Sequence, residues 1–228
     1  MAILNGIPCD ENEDINFNHQ QQVEFHDRLI FLNAFNQDAD WVTQAVIKIW
    51  GLPHLTLDPK TAHPNLILSD DLTSVINRNV KELSPDNPER YNLRPCVLAS
   101  QDFTSGIHYW EVKVGCKTYW ELGVTRNSSI RKGQFDLNPN CGYWAIVLRS
   151  GNEYWAQDST PKNLNLSAQP KKVGVYLDYE GGQVSFYNAD DMSHLYTFTN
   201  TFTETLYAFF SPCNNCGGNL EPLKVLHL

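Results

Sequence analysis

An all-β fold, an antiparallel β-sandwich preceded by one short N-terminal helix, is predicted by three features of the sequence. Beyond Pro53, helical periodicity stops and short runs of alternating apolar and polar residues recur, each closed by turn residues. The 228 residues are 42% hydrophobic and 12% aromatic, enough for one domain with a sizeable core. Gly181-Gly182 and Ser150-Gly151-Asn152 each separate two such runs, so neighbouring runs pair as hairpins with no helix between them.

The chain begins with an acidic segment. Residues 1–27 hold six carboxylates and no Lys or Arg, which supplies most of the net charge of −9. The remaining chain is nearly balanced and offers no basic stripe, which argues against nucleic acid or an anionic membrane as the main partner. A polar, Asn- and Gln-rich stretch over residues 5–22 reads as loose. Ala39, Val42, Val46, Ile49 and Trp50 then recur at helical spacing, with Asp38 and Asp40 as cap candidates and Gly51-Leu52-Pro53 as the stop. A helix over about 40–49 follows, and its apolar stripe is expected to brace the domain behind it. The organisation is thus an acidic N-terminal segment with a helix over 1–50 and a β-domain over 51–228.

Along the β-domain, His108–Val114 places Trp110, Val112 and Val114 on one face. Trp120–Thr125 sets Trp120, Leu122 and Val124 against Glu121, Gly123 and Thr125. Tyr143–Arg149 sets Trp144, Ile146 and Leu148 against Tyr143, Ala145, Val147 and Arg149. Runs at 173–178, 184–187, 194–198 and 206–210 continue the pattern, for about a dozen strands in all. The tryptophans on the apolar parity are core candidates, whereas Trp155 follows a turn and falls outside that scheme.

Catalytic and metal chemistry finds little support. Cys213 and Cys216 form a C-x-x-C, but a structural zinc needs two further ligands and no second pair completes it. Asp178 and Glu180 share a strand face and could pass for a carboxylate pair, yet they precede a hairpin turn, where a solvated end is expected. No nucleotide-binding glycine pattern or nucleophile elbow occurs. The reading is a non-enzymatic chain without metal or cofactor. No apolar run approaches the roughly 20 residues that span a bilayer, and no secretory signal precedes the domain, so a cytoplasmic protein with six free thiols is expected.

Three stretches resemble a known family. Leu57-Asp58-Pro59-Lys60-Thr61-Ala62-His63-Pro64-Asn65-Leu66 resembles the PRY signature. Ser105-Gly106-Ile107-His108-Tyr109-Trp110-Glu111-Val112 resembles the opening of SPRY, and Leu177-Asp178-Tyr179-Glu180 with Val184-Ser185-Phe186-Tyr187 resembles its third signature. Together they mark the B30.2 (PRY-SPRY) domain of tripartite-motif proteins and butyrophilins, with PRY over about 55–100 and SPRY over about 101–228. The resemblance implies a bent, lectin-like β-sandwich that binds a protein or peptide epitope through loops at one end. In tripartite-motif ubiquitin ligases this part selects the target, while a RING finger does the ubiquitin chemistry. Residues 1–95 contain only Cys9, too few cysteines for such a zinc site.

The resemblance carries the ligand pocket onto Glu121, Val147, Arg149 and Asn214, with Tyr91, Ser128 and Cys213 as rim. Strand parity places Glu121, Val147 and Arg149 on the face opposite the tryptophans, so they are expected to point outward together. Glu121 and Arg149 either pair with each other or read charged and polar groups of a partner. The family positions that carry aromatics in antibody-binding members are here Val147, Arg149 and Asn214, which argues against an immunoglobulin ligand. The chain alone is expected to be monomeric, with any dimerisation due to a coiled coil elsewhere in the parent protein. Two alternatives stand beside this reading: a carbohydrate binder using exposed Tyr109, Tyr143 and Trp155, and the C-terminal targeting domain of a larger toxin.

Overall fold

Alternation of apolar and polar side chains along short runs gives each strand one face to bury, and two sheets stacked on those faces solve the burial problem. The computed structural model describes residues 54–79, 85–166 and 168–227. The expected helix over 40–49 and the acidic segment lie outside the described residues. Among the described residues there are thirteen strands: β1 (Leu66–Leu68), β2 (Ser74–Asn77), β3 (Val97–Phe103), β4 (Ile107–Lys113), β5 (Trp120–Arg126), β6 (Tyr143–Arg149), β7 (Glu153–Ala156), β8 (Lys162–Asn163), β9 (Lys172–Asp178), β10 (Gln183–Asn188), β11 (Ser193–Thr199), β12 (Leu206–Ser211) and β13 (Leu223–Leu226). One sheet runs β1-β2-β13-β4-β9-β10-β11 and the other β3-β12-β5-β6-β7-β8, with every pairing antiparallel. The fold is the all-β sandwich that the alternation predicts.

The inner faces meet in one cluster. Trp110 and Val112 of β4 pack with Trp120, Leu122 and Val124 of β5 and with Trp144, Ile146 and Leu148 of β6. All three tryptophans are buried, as their parity requires. Two hairpins form where the turn residues stand. The connections are longer than two-residue turns: Gly182 takes φ +66 at the end of the loop over residues 179–182 between β9 and β10, and Ser150 and Gly151 both take positive φ in the loop over residues 150–152 between β6 and β7. Gly123 of β5 serves a different need. A Cβ there would lie 2.1 Å from the carbonyl oxygen of Trp144 on β6, so only glycine fits.

The outer face of the six-stranded sheet is not left to solvent. Tyr143 and Val147 of β6, Leu98 of β3 and Phe209 of β12 gather there with Tyr91, Cys96, Phe135 and Leu137 from two connecting segments, forming a second, smaller core. Phe135 stacks on Tyr143 at 5.0 Å between ring centroids, and the Tyr91 and Tyr143 hydroxyls lie 3.1 Å apart. The segment that brings Tyr91 is held by Arg90, whose guanidinium donates to the carbonyls of Pro85, Pro59 and Ala62. Lys132 of the other segment adds an ion pair to Asp86 at 2.6 Å. This covering arm brings Arg94 over the start of β5, and the site below depends on it.

Candidate binding site

The register of β5 and β6 sets Glu121 opposite Val147, with Arg149 two residues on, next to the Ser150-Gly151 turn. Glu121 is buried, its side chain only 4% exposed, yet it is a carboxylate. Its oxygen Oε1 accepts from Nη2 of Arg149 at 2.5 Å and from Nη2 of Arg94 at 2.6 Å. A buried carboxylate must be paired and hydrogen-bonded to be tolerated, and two guanidiniums meet that need. Each is itself anchored: Arg149 donates through Nη1 to the carbonyls of Leu148 and Trp120, and Arg94 donates through Nη1 to the carbonyl of Phe135 while lying 5.2 Å from the centre of the Phe135 ring.

Above this triad opens a cleft of ≈ 510 Å³, whose lining includes Leu93, Arg94, Tyr119, Glu121, Arg149 and Asn214. A second cleft of ≈ 350 Å³ lies on the other side of the arginines, lined among others by Asp136, Gln157 and Asp158, with Arg94 and Arg149 common to both. Buried Asn219 organises the loop after β12. Its amide donates to the carbonyls of Pro212, Asn214 and Tyr119 and its Oδ1 accepts from the Thr118 backbone N–H, which ties Asn214 and Tyr119 to one wall. Lys117 reinforces that wall by donating to the Glu221 carbonyl at 3.0 Å.

The structure brings some of the expected site residues together and separates others. Glu121, Arg149, Asn214 and Cys213 all line the larger cleft. Val147 does not: it lies on the expected face, but the covering arm seals it into the second core at 1% exposure. Tyr91 is no rim residue either, being fully buried in the same cluster with its hydroxyl against Tyr143. Ser128 is exposed beyond the far end of β5, seven residues from Glu121 and on the order of 20 Å away at strand rise, and its N–H donates to Glu204. Missed by the sequence reading are Leu93, Arg94, Pro95, Tyr119 and Ser211. Arg94 stands in a stretch without periodicity, and its only local signal is a cation flanked by turn-forming Asn92 and Pro95.

The remaining candidates resolve into structural roles. Asp178 accepts from the Gly181 N–H and Glu180 from the Gly106 N–H, so the carboxylates cap turns. His63 accepts through Nδ1 from the Asn65 N–H, and His108 Nε2 pairs with the Ser105 carbonyl. The exposed aromatic platform that a carbohydrate binder would use does not form, because Tyr109 and Tyr143 are buried at 2% and 0%. Cys213 is a free thiol, and burial of its sulfur, aided by the Glu121 charge, pushes its pKa up to about 12, so it is held protonated at neutral pH. The side chain of Cys216 lies outside what the structure describes. Among the described residues no group of His, Cys, Asp and Glu is arranged to hold a metal ion, and no helix is long and apolar enough to cross a membrane.

Comparison with known proteins bears on the whole architecture. Residues 55–103 match the SPRY-associated (PRY) domain family and residues 107–223 match the SPRY domain family. The chain belongs to the PRY-SPRY, or B30.2, family. Among its relatives is "Nuclear factor 7, brain" of Xenopus laevis, 54% identical over 188 residues that cover 82% of this chain and 31% of the relative. "E3 ubiquitin-protein ligase TRIM69" of Rattus norvegicus is 53% identical over 178 residues, 78% of this chain and 36% of the relative. This PRY-SPRY chain thus spans about a third of the length of the relatives it matches. The crystal structure of the TRIM65 PSpry domain shares the fold with a TM-score of 0.66 at 22% identity, covering 82% of this chain and 95% of that one. A PRY-SPRY domain is a protein-interaction module.

Proposed function

We propose that the cleft above Glu121 docks a protein target, and that this chain is the target-recognition part of a tripartite-motif ubiquitin ligase. One observation carries the reading. Three separated segments, the covering arm with Leu93 and Arg94, the β5–β6 pair with Glu121 and Arg149, and the loop after β12 with Asn214, converge on one open cleft whose charged centre is fixed by hydrogen bonds. Preorganised charge beside exposed apolar surface favours a specific protein partner, since little ordering entropy remains to be lost on binding. The kinship with the E3 ubiquitin-protein ligase TRIM69 supports the ligase context, and the four free thiols among the described residues fit a reducing compartment such as the cytosol. On its own the chain is read as a monomer.

The test is quantitative affinity capture from cytosolic extract with the wild-type chain beside Leu93→Arg and Asn214→Arg. Both residues are exposed, so the variants keep the wild-type melting temperature while placing bulk and charge at the cleft mouth. Proteins captured by the wild type and lost by both variants support the assignment. The same proteins in the same amounts on all three chains overturn it.

A further inference from the structure

We infer that the partner presents an extended peptide with an internal Asp or Glu, whose carboxylate is taken by Arg149 and Arg94, and an apolar neighbour seated against Leu93 and Tyr119. The inference rests on the cleft being the docking site, and it specifies the chemistry recognised there. Charge is the first argument. On the side of the larger cleft two guanidiniums stand against one carboxylate, Glu121, and among the described residues no second acid lines that cleft, Asp136 and Asp158 being on the lining of the other. Glu121 accepts from both arginines through Oε1, but its one negative charge cannot neutralise two guanidiniums.

Unused hydrogen-bonding capacity is the second argument. Arg149 spends Nη1 on two carbonyls and Nη2 on Glu121, and Arg94 spends Nη1 on Phe135 and Nη2 on Glu121. Among the described residues no acceptor meets the Nε–H of either arginine. Each guanidinium so keeps an Nε–H, a charged donor, for an incoming carboxylate. Both are held in place by their other bonds before any ligand arrives, at 27% and 32% side-chain exposure. A neutral epitope would satisfy the same donors with bonds about half as strong.

Position is the third argument, and it separates an internal acid from a chain terminus. Arg94 and Arg149 stand on the divide between the two clefts, so a peptide held there has room to continue on both sides. A terminal carboxylate would use one cleft only. On one side lie Leu93, which is 57% exposed, and Tyr119, an apolar wall open to solvent. On the other side Asp136 and Asp158 repel further acid, which confines the acidic residue to the divide and favours a neutral or basic residue beyond it.

The experiment selects peptides from a displayed library of random linear sequences on the intact chain, followed by calorimetry on synthetic copies of those enriched. The expected peptides carry Asp or Glu beside an apolar or aromatic residue. Changing that acid to its amide weakens binding roughly tenfold or more, the scale of a charge-assisted bond. Amidating the peptide C-terminus leaves affinity unchanged. Because the acid-to-amide change is made in the peptide, the result does not depend on a variant protein folding. Peptides that lose binding to Leu93→Arg and Asn214→Arg but show no acid dependence overturn the inference and leave the docking site standing. Dependence on the free C-terminus in place of the internal acid also overturns it. Peptides indifferent to both cleft variants, or no enriched peptide at all, overturn the inference and the docking site together.

Discussion

Glu121 is a carboxylate with 4% of its side chain exposed, and the strand pair carrying it is stable because two cations share the task of neutralising it. Either arginine alone can keep the buried charge paired, whereas neither can be replaced once both are gone. Arg94→Ala and Arg149→Ala are therefore each expected to cost about 1 kcal/mol, since about a third of each cation is solvated. The double variant is expected to cost about 3–5 kcal/mol, well beyond the sum, because it strands an unpaired buried carboxylate. Urea titrations of the four proteins in the cycle measure the coupling, and additive losses would mean that Glu121 draws its stabilisation from elsewhere. The same argument explains why Glu121 and Arg149 are not simply a surface pair: Arg94, which the alternation gave no reason to place there, makes the third member.

At the scale of elements, the covering arm over residues 85–96 decides what the outer face of the six-stranded sheet becomes. Period-two alternation correctly separates Trp120, Leu122 and Val124 from Glu121 and Thr125, and it separates Trp144 from Val147. It tells which side of a sheet a residue occupies and says nothing of what lies over that side, so Val147 and Tyr91 were expected at the surface and are core. The arm itself has no period to read. Its position depends on hydrogen bonds from Arg90 to carbonyls at Pro85, Pro59 and Ala62, contacts set by tertiary geometry. Arg90→Ala leaves three carbonyls without that donor in a residue that is 8% exposed, and a loss of about 2–3 kcal/mol is expected. Hydrogen exchange locates the damage. The amide of Tyr91, which donates to the Thr61 carbonyl, should lose protection, while those pairing β5 with β6 keep theirs. Equal loss in both would show that the arm and the sheet open as one unit.

For the whole molecule, the sandwich was legible because its strands are long enough to repeat. β4, β5, β6 and β9 each have seven residues, and their hairpin glycines stand where the turns form. β1, β8 and β13 have two to four residues, too few to show a period, and are fixed only by their neighbours. The site was legible as far as it lies on strands, at Glu121 and Arg149, and illegible where loops such as that of Leu93 and Tyr119 complete it. Two cores on opposite faces of one sheet also give the molecule a chemical weakness. Tyr143 and Tyr91 sit in the smaller one, and burial pushes the Tyr143 phenol up to about 12 and raises that of Tyr91 well above its ordinary value. A phenol whose folded pKa lies above its unfolded value of 10 keeps its proton longer in the native state. Its contribution is complete below pH 10 and is lost as the pH rises toward about 12, since the unfolded chain releases the proton first. Stability should fall over that window, and Tyr143→Phe should flatten the fall by about 1.4 kcal/mol per pH unit, the worth of one proton. Near neutrality the same variant should be weaker than wild type by about 1 kcal/mol, because Tyr143 donates to the Ile130 carbonyl at 2.8 Å and phenylalanine cannot. The loss over that window exceeds the advantage at neutrality, so the two stability curves should cross between pH 10 and 12, and urea midpoints that stay parallel across it would place the Tyr143 hydroxyl in contact with water.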